Sequence, residues 1–184
     1  MALLIRLAAA DDAAAIAAIY APYVTDTRIS FEEVPPDESE MARRIEGSPA
    51  GFYPWFIAED GGKVCGFASS SAFRTRPAYR WTVETGIYLS PDACGRGIGR
   101  DLLATLLGVL ERQGYVAAIG AITLPNAPSV VLHERLGFTN VGAYRRVGFK
   151  MGEWLDVGLW ERNLAARGAA PTEPLPYSAV ISPS

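Results

Sequence analysis

Histidine and cysteine are scarce in this chain of 184 residues, which contains one histidine, His133, and two cysteines, Cys65 and Cys94. Two cysteines are too few for the disulfide framework of a small secreted protein. With a single histidine they give no recognisable spacing of metal ligands. We therefore expect no bound metal.

Long apolar runs and a strong net charge are also lacking. No stretch approaches the roughly 20 apolar residues of a membrane-spanning helix, and residues 1–7 lack the basic segment and cleavage site of a secretion signal. The net charge of −3 is unlike that of a general nucleic-acid-binding protein. These absences predict a cytoplasmic protein with no membrane or nucleic-acid partner.

Residues 82–100 carry the most distinctive pattern, which is typical of a strand, a glycine loop and the start of a helix. The strand ends at Ser90, and glycines at 95, 97 and 99 lead into an apolar series at helical spacing. Unpaired N–H groups in a first helical turn favour a phosphate, and Arg96 and Arg100 add positive charge. Such a loop also occurs as a plain turn, so both interpretations stay open at this point.

The remaining periodicity predicts the element order β-α-α-β-β-β-α-β-α-β-β. Helices are expected to begin at Asp11, at Asp37, at Ile98 and near Asn126. Strands are expected over residues 4–7, 55–59, 64–74, 82–89, 116–123, 138–150 and 154–162. A parallel pair joined by the helix from Ile98 and flanked by antiparallel strands predicts a mixed α/β (α+β) fold with helices on both faces of the sheet.

Composition changes after Leu164, where alanine and proline become frequent. We therefore expect one domain over residues 1–164 and a Pro- and Ala-rich mobile C-terminal tail over residues 165–184. Residues 25–36 are polar and irregular. They are interpreted either as a loop near the substrate or as a plain surface connection.

The chain resembles a known family in the glycine loop and in the segments 79–84, 124–129, 132–138 and 148–160. The glycine loop is shared by the GNAT superfamily of acetyl-CoA-dependent N-acetyltransferases. The other segments, in this order, are similar to its phosphinothricin and methionine sulfoximine acetyltransferase family. The resemblance implies the GNAT fold, with one splayed parallel strand pair in a mostly antiparallel sheet, and also a homodimer and a part in herbicide resistance.

The resemblance further implies a V-shaped opening between two strands, into which the pantetheine arm of acetyl-CoA inserts. In that family a short piece of strand holds the acetyl-pantetheine, here Ile87, Tyr88 and Leu89. The glycine loop holds the pyrophosphate, here Gly95, Arg96, Gly97, Ile98, Gly99 and Arg100. Asn126 and Ser129 match polar contacts to the CoA arm, although both also suit the capping of a helix. Cys94 departs from the usual glutamine or arginine at the first position of the loop.

Acetyl transfer to an amine needs a base that removes the ammonium proton. A carboxylate inside an apolar strand is costly to bury, so Glu84 is the candidate base, acting through a water. The alternative is a structural ion pair with Arg74, Arg76 or Arg80. The resemblance makes His133 a candidate acid for the leaving thiolate, because many superfamily members carry tyrosine there. It also fits a cofactor contact or a core histidine.

Arg74 and Arg76 are close in the chain to Glu84, and a cation there can hold a carboxylate or phosphinate. A cation beside a base suits a small amino acid. We therefore expect a small-molecule N-acetyltransferase for phosphinothricin, methionine sulfoximine, methionine sulfone or a similar amino acid, with acetyl-CoA as cosubstrate. The alternatives are a protein N-terminal or other amine acetyltransferase and a catalytically silent CoA-binding sensor.

Overall fold

A computed structural model of the chain describes residues 3–47, 51–168 and 170–181. Across these ranges, seven strands form one sheet with the order β1-β2-β3-β4-β5-β7-β6. The strands are β1 (Leu4–Leu7), β2 (Trp55–Asp60), β3 (Lys63–Ala72), β4 (Thr82–Leu89), β5 (Ala117–Leu124), β6 (Thr139–Lys150) and β7 (Glu153–Asn163). The α-helices are α1 (Ala13–Thr25), α2 (Glu38–Glu46), α3 (Ile98–Gln113) and α4 (Ala127–Arg135). The expected element order and mixed fold are confirmed.

The parallel pair of the sheet separates part-way along its length. β4 and β5 pair in parallel only from Thr82 opposite Ala117 to Glu84 opposite Ile119, and the other neighbouring strands are antiparallel. Beyond Glu84, β4 keeps its pairing with β3 while β5 keeps its pairing with β7. The two strands therefore splay, which confirms the expected opening and leaves main-chain groups of β4 facing it.

Helices cover both faces of the sheet because neighbouring residues of a strand point to opposite sides. In β2, Phe56 and Ala58 pack in one core cluster with the leucines of α3, whereas Ile57 packs in a second cluster with α1 and α2. Leu102 and Leu106 are fully buried on α3, as the helical spacing of its leucines predicts. The opening between β4 and β5 thus lies between two packed layers.

Local features set the start of α2 and the end of α3. The carboxylate of Asp37 accepts from Glu40 N–H at 2.8 Å and caps α2, and Gly114 ends α3 with a φ of 93°. The expectation that Asp11 caps the first helix is wrong. Asp12 is the buried residue there: it accepts from Ala9 N–H at 2.9 Å and pairs with Arg6 at 2.8 Å, and α1 begins only after this turn.

Residues 170–181 lie along the domain, although composition predicts a mobile tail. Trp81 Nε1 donates to Thr172 O at 2.8 Å, and Arg80 pairs with Glu173 at 2.7 Å. The N–H of Leu175 donates to Gln113 O at 2.7 Å. Composition does not reveal these contacts because their partners lie on distant elements of the chain.

Candidate active site

The splayed strands open into a cavity of about 610 Å³, called here the cofactor cavity. The end of β4 forms one wall, and the glycine loop with the start of α3 forms another. Apolar and polar side chains of α4 form a third wall. The lining includes Ile87, Tyr88, Leu89, Asn126, Ser129 and His133. The structure thus brings together the predicted residues of three separate segments.

The glycine loop has a backbone that few other residues could adopt. Gly95 and Gly97 have φ values of 75° and 83°, in a region that side-chain-bearing residues rarely occupy. No atom lies within 4 Å of the place where a Cβ would be at either position, so the main chain is open on that side. Gly97 precedes α3 without a side-chain cap, which leaves the first N–H groups of the helix available to an anion.

The two arginines of the loop make ion pairs within the protein. Arg96 contacts Asp60 at 2.7 Å, and Arg100 contacts Asp101 at 2.9 Å, with both guanidinium groups largely exposed. Arg100 lines the cofactor cavity together with Gly95, Gly97 and Gly99, whereas Arg96 and Ile98 do not. Ile98 is 4% exposed and packs in the core, so its contribution to an anion site is limited to its main chain.

Asn126 and Ser129 combine the two roles considered from the sequence. The Asn126 side chain accepts from Ser129 N–H at 3.3 Å and caps α4. Both residues also line the cofactor cavity. Capping and cavity lining are therefore compatible at these positions. Cys94 lines the same cavity with an exposed thiol, which contacts Ser90 O at 3.6 Å.

His133 is 3% exposed and is held by its own helix. Its Nδ1 lies 2.8 Å from Ser129 O, and because a carbonyl only accepts, we assign the proton of the neutral ring to Nδ1. Burial lowers the pKa of the imidazole. The neutral ring therefore carries a lone pair on Nε2, and proton donation from Nε2 would require a second, disfavoured proton.

A second cavity of about 250 Å³, called here the acceptor cavity, lies beside the first. Its lining includes Tyr20, Glu32, Arg44, Ser71, Glu84 and Trp55. The two cavities share Thr85, Gly86, Tyr88 and Ala121, so they meet where β4 and β5 separate. An amine in one cavity and a thioester in the other would face each other across this junction.

Glu84 is the last residue of β4 that pairs with β5, and it has no ion-pair partner within 4.0 Å in the described ranges. Burial raises the pKa of its carboxyl group, and the charge of Arg74 opposes this shift only in part. Arg80 pairs with Glu173 instead, which removes one of the structural partners considered for Glu84. A carboxylate with a raised pKa in a cavity is well suited to accept a proton.

Arg74 and Arg76 are not part of the acceptor cavity lining. The guanidinium of Arg74 donates to Tyr144 Oη at 3.3 Å and lies 4.4 Å from the centroid of the Phe73 ring. Arg76 is exposed and precedes the short 3-10 helix Pro77–Tyr79. Of the two, only Arg74 is near enough to influence Glu84.

Sequence reasoning missed the ion pair between Glu32 and Arg44, which contact each other at 2.8 Å in the acceptor cavity. The hydrogen bonds from Arg44 and the charge of that guanidinium lower the pKa of Glu32. The polar stretch 25–36 was a signal for Glu32, since it predicts a loop near the substrate. Arg44 on a charged helix surface gave no such signal.

A family model described as an acetyltransferase (GNAT) domain matches residues 5–159. The chain belongs to this family. A phosphinothricin N-acetyltransferase of Alcaligenes faecalis is 41% identical over 163 residues, which cover 88% of this chain and 83% of that protein. An L-methionine sulfoximine/L-methionine sulfone acetyltransferase of Pseudomonas aeruginosa is 36% identical over 168 residues, covering 91% and 98%.

A solved structure is similar to this chain over nearly its whole length. The GNAT superfamily phosphinothricin acetyltransferase of Sinorhizobium meliloti, in complex with AcCoA, superposes with a TM-score of 0.90 at 40% identity and covers 97% of this chain and 98% of its own. The cofactor cavity fits acetyl-CoA, because the open glycine backbone and the uncapped start of α3 suit a pyrophosphate and the splayed strands admit a narrow chain.

No helix in the ranges 3–47, 51–168 and 170–181 combines the length and apolar character needed to cross a membrane. The same residues contain no group of three histidine, cysteine or acidic side chains placed to hold a metal ion.

Proposed function

We propose that this GNAT protein transfers the acetyl group of acetyl-CoA to the amine of a small amino acid such as phosphinothricin, methionine sulfoximine or methionine sulfone. The observation that carries the proposal is the meeting of the two cavities at the splayed strands, with Glu84 in one and the glycine loop in the other. The named relatives acting on these amino acids support the same substrate class.

Glu84 would act as the base in this reaction. An amine attacks a thioester only after losing its ammonium proton, and the Glu84 carboxylate accepts that proton directly or through a water. Burial raises the pKa of Glu84 and so brings it closer to the pKa of the ammonium group. The proton transfer is therefore less unfavourable. Acetyl-CoA, when bound, supplies the acetyl group as a thioester.

The main chain of β4 beyond Glu84 would hold and polarise the acetyl group. Its groups on the β5 side have no strand partner there, because the parallel pairing ends at Ile119. Ile87, Tyr88 and Leu89 line the cofactor cavity at this place. Fixed N–H groups aimed at a developing oxyanion are an effective source of rate enhancement.

The acceptor cavity suits a small ligand with an ammonium group. Its volume of about 250 Å³ is below the roughly 300–1,000 Å³ of sites for drug-sized molecules. The charges of Glu84 and Glu32 exceed the single charge of Arg44, so the lining favours a cation. We assign the acid group of the amino acid to Arg74 and Arg76, which lie outside the lining; of the two, Arg74 is the one near enough to influence Glu84.

A screen of acetyl-CoA consumption tests this function. The acceptors are free amino acids, methionine sulfoximine, methionine sulfone, phosphinothricin and short peptides. We expect turnover of the small amino acids and none of the peptides, because a peptide chain exceeds the acceptor cavity. Turnover of peptides alone would favour the N-terminal acetyltransferase alternative, for which a Brucella melitensis ribosomal-protein-alanine N-acetyltransferase structure at 34% identity is the relevant relative.

A homodimer is part of the same proposal. Strands β6 and β7, at one edge of the sheet, expose several large apolar side chains, Val141, Tyr144, Val147, Phe149 and Trp154, each between 46% and 56% exposed. Exposed apolar side chains at a sheet edge suit an interaction site, and a second copy of the chain is the partner that closed symmetry favours. Light scattering that gives a concentration-independent monomer mass would contradict it.

We place the activity in residues 1–164, with residues 165–184 outside the catalytic domain. Two free thiols, one buried and one exposed, suit a reducing compartment such as the cytoplasm. Acetylation of phosphinothricin would give cells resistance to this herbicide. Growth of an expressing strain on plates that contain phosphinothricin measures this resistance.

A further inference from the structure

The segment that follows α1 contributes to both cavities, and residues 26–33 are called here the wall segment. Ile29 lines the cofactor cavity and Glu32 lines the acceptor cavity. Ser30, between them, is 4% exposed. The placement of this one irregular segment therefore sets part of both walls.

The end of β6 holds the wall segment through a buried ammonium group. Lys150 is the last residue of β6 and is 7% exposed. Its Nζ donates to Val24 O and to Ser30 O, both at 2.6 Å. Val24 lies in the last turn of α1, where carbonyl groups lack helical partners and the helix dipole favours a cation. Lys150 thus ties the end of α1 to the middle of the wall segment.

This buried charge is not explained by packing or by an ion pair. In the part of the chain that the structure describes, no carboxylate lies within 4.0 Å of Nζ, and Glu32 and Glu33 act on it only at longer range. A buried ammonium is costly unless its protons are bonded, and an apolar side chain would fill the same space without that cost. The two carbonyl bonds are therefore the reason for a lysine at this position.

Other contacts fix the wall segment on either side of this bond. Tyr20 Oη lies 2.7 Å from Ser30 Oγ, and Thr123 Oγ1 donates to Ile29 O at 3.1 Å. The ring of Phe31 occupies the space that a side chain at Gly148 would need. The ion pair of Arg44 with Glu32 adds a charged contact at the acceptor cavity, and Lys150 holds the main chain of Ser30.

We propose that Lys150 is a positioning residue for the acceptor. Its bonds to Val24 and Ser30 place the wall segment so that Glu32 stands in the acceptor cavity with Glu84. Lys150 itself lines neither cavity, so it acts through the wall segment and not on the reacting atoms. The inference rests on the proposed function for the identity of the acceptor, but not for the placement of the segment.

Steady-state kinetics of Lys150→Met and Lys150→Arg tests the proposal. We expect Lys150→Met to raise KM for the acceptor by about 10- to 100-fold, the effect of one or two lost hydrogen bonds. The kcat and the Kd for acetyl-CoA, the latter measured by calorimetry, should change by less than about threefold, because Ile29, which lines the cofactor cavity, is held separately by Thr123 Oγ1. Lys150→Arg keeps the charge and should recover part of the acceptor KM.

Arg28→Ala is the matched control. Arg28 lies in the same wall segment and pairs at 3.2 Å with Glu153 of the same β6–β7 hairpin, but the side chains are 44% and 59% exposed. Exposed ion pairs contribute little, so this variant should keep the wild-type KM. An acceptor KM that rises equally in Arg28→Ala and Lys150→Met would overturn the specific role of Lys150.

An unchanged acceptor KM in folded Lys150→Met overturns the proposal, including when its melting temperature falls. If Lys150→Met does not fold, Lys150→Gln, which can still donate to one carbonyl, is measured in the same way. If the wild type acetylates no acceptor, the proposed function fails separately. Hydrogen exchange of residues 26–33 then decides: faster exchange in the variant supports the positioning role, and unchanged exchange overturns it.

Discussion

The ring of His133 lies so close to Gly120 that a Cβ at position 120 would be 2.8 Å from Nε2 and 2.7 Å from Cδ2. Gly120 is in the middle of β5, where a glycine normally weakens a strand. Close approach of the histidine ring accounts for it. The bond from Nδ1 to Ser129 O keeps the ring from turning away.

Gly120→Ala should therefore displace His133 and destabilise the protein by about 1–3 kcal/mol, the usual cost of overpacking. Urea unfolding measures the loss. In the double variant with His133→Ala the clash disappears, so the two substitutions should be strongly non-additive. Additive losses would show that the ring and the strand do not compete for this space.

Replacement of His133 by asparagine or by glutamine separates a structural role of the ring from the role of a general acid. Asn at position 133 can replace the Nδ1–H donor, whereas Gln places its amide nearer to the position of Nε2. Because the Nδ1–H is held and burial lowers the pKa of the ring, we expect His133→Asn to keep kcat within about tenfold. A loss of about 10²–10⁴-fold in His133→Asn, with unchanged acetyl-CoA affinity, would instead identify a general acid.

Gly97→Val should weaken acetyl-CoA binding by roughly 10- to 100-fold, because a branched side chain would lie where the loop is open to the pyrophosphate. Gly137→Val is a matched control: Gly137 has the same φ of 83° and equally open space, but it follows α4 outside the cavity lining. Both variants should lose about 1–3 kcal/mol of stability through backbone strain. Calorimetric titration that shows equal affinities for the two would mean that the loop is only a turn.

Local patterns predicted the elements of this fold well. The helix α3 is expected to begin at Ile98, and it runs over Ile98–Gln113, because its leucine spacing and flanking glycines are local signals. The glycine loop and Glu84 were likewise visible as a backbone pattern and as an isolated charge in a strand. Gly95, Gly97 and Gly99 line the cofactor cavity, and Glu84 lines the acceptor cavity.

The rest depends on contacts between distant residues. The register that stops at Glu84 and Ile119, the bond of Lys150 to Ser30 and the pair of Glu32 with Arg44 each join separate elements. No periodicity of one segment encodes such a pairing. The same reason explains why residues 170–181, with a composition typical of mobile chain, have partners at Trp81, just before β4, and on α3.

Glu84→Gln decides whether this carboxylate is the base. Glutamine is nearly isosteric but cannot accept the ammonium proton, so acetyl-CoA affinity should be kept while kcat/KM falls by roughly 10²–10⁴-fold near neutral pH. The loss should shrink as pH rises, because the free-amine fraction of the acceptor grows about tenfold per pH unit below its pKa. Wild-type kcat/KM should fall as pH drops through the raised pKa of Glu84, and the variant should lack this limb.

The stability of the same variant gives an independent test with a defined sign. A carboxyl group whose pKa is raised on folding stabilises the protein fully below its unfolded pKa and loses that contribution as pH rises through the folded pKa. Ionised Glu84 is therefore a cost near neutral pH, and Glu84→Gln should melt at the same or a higher temperature than the wild type. A structural ion pair with Arg74 predicts the opposite, because removing the carboxylate would leave the arginine unpaired. Melting curves and kcat/KM from about pH 6 to 9, measured on the same preparations, distinguish the two: a destabilised variant with a wild-type rate profile would remove Glu84 from the mechanism.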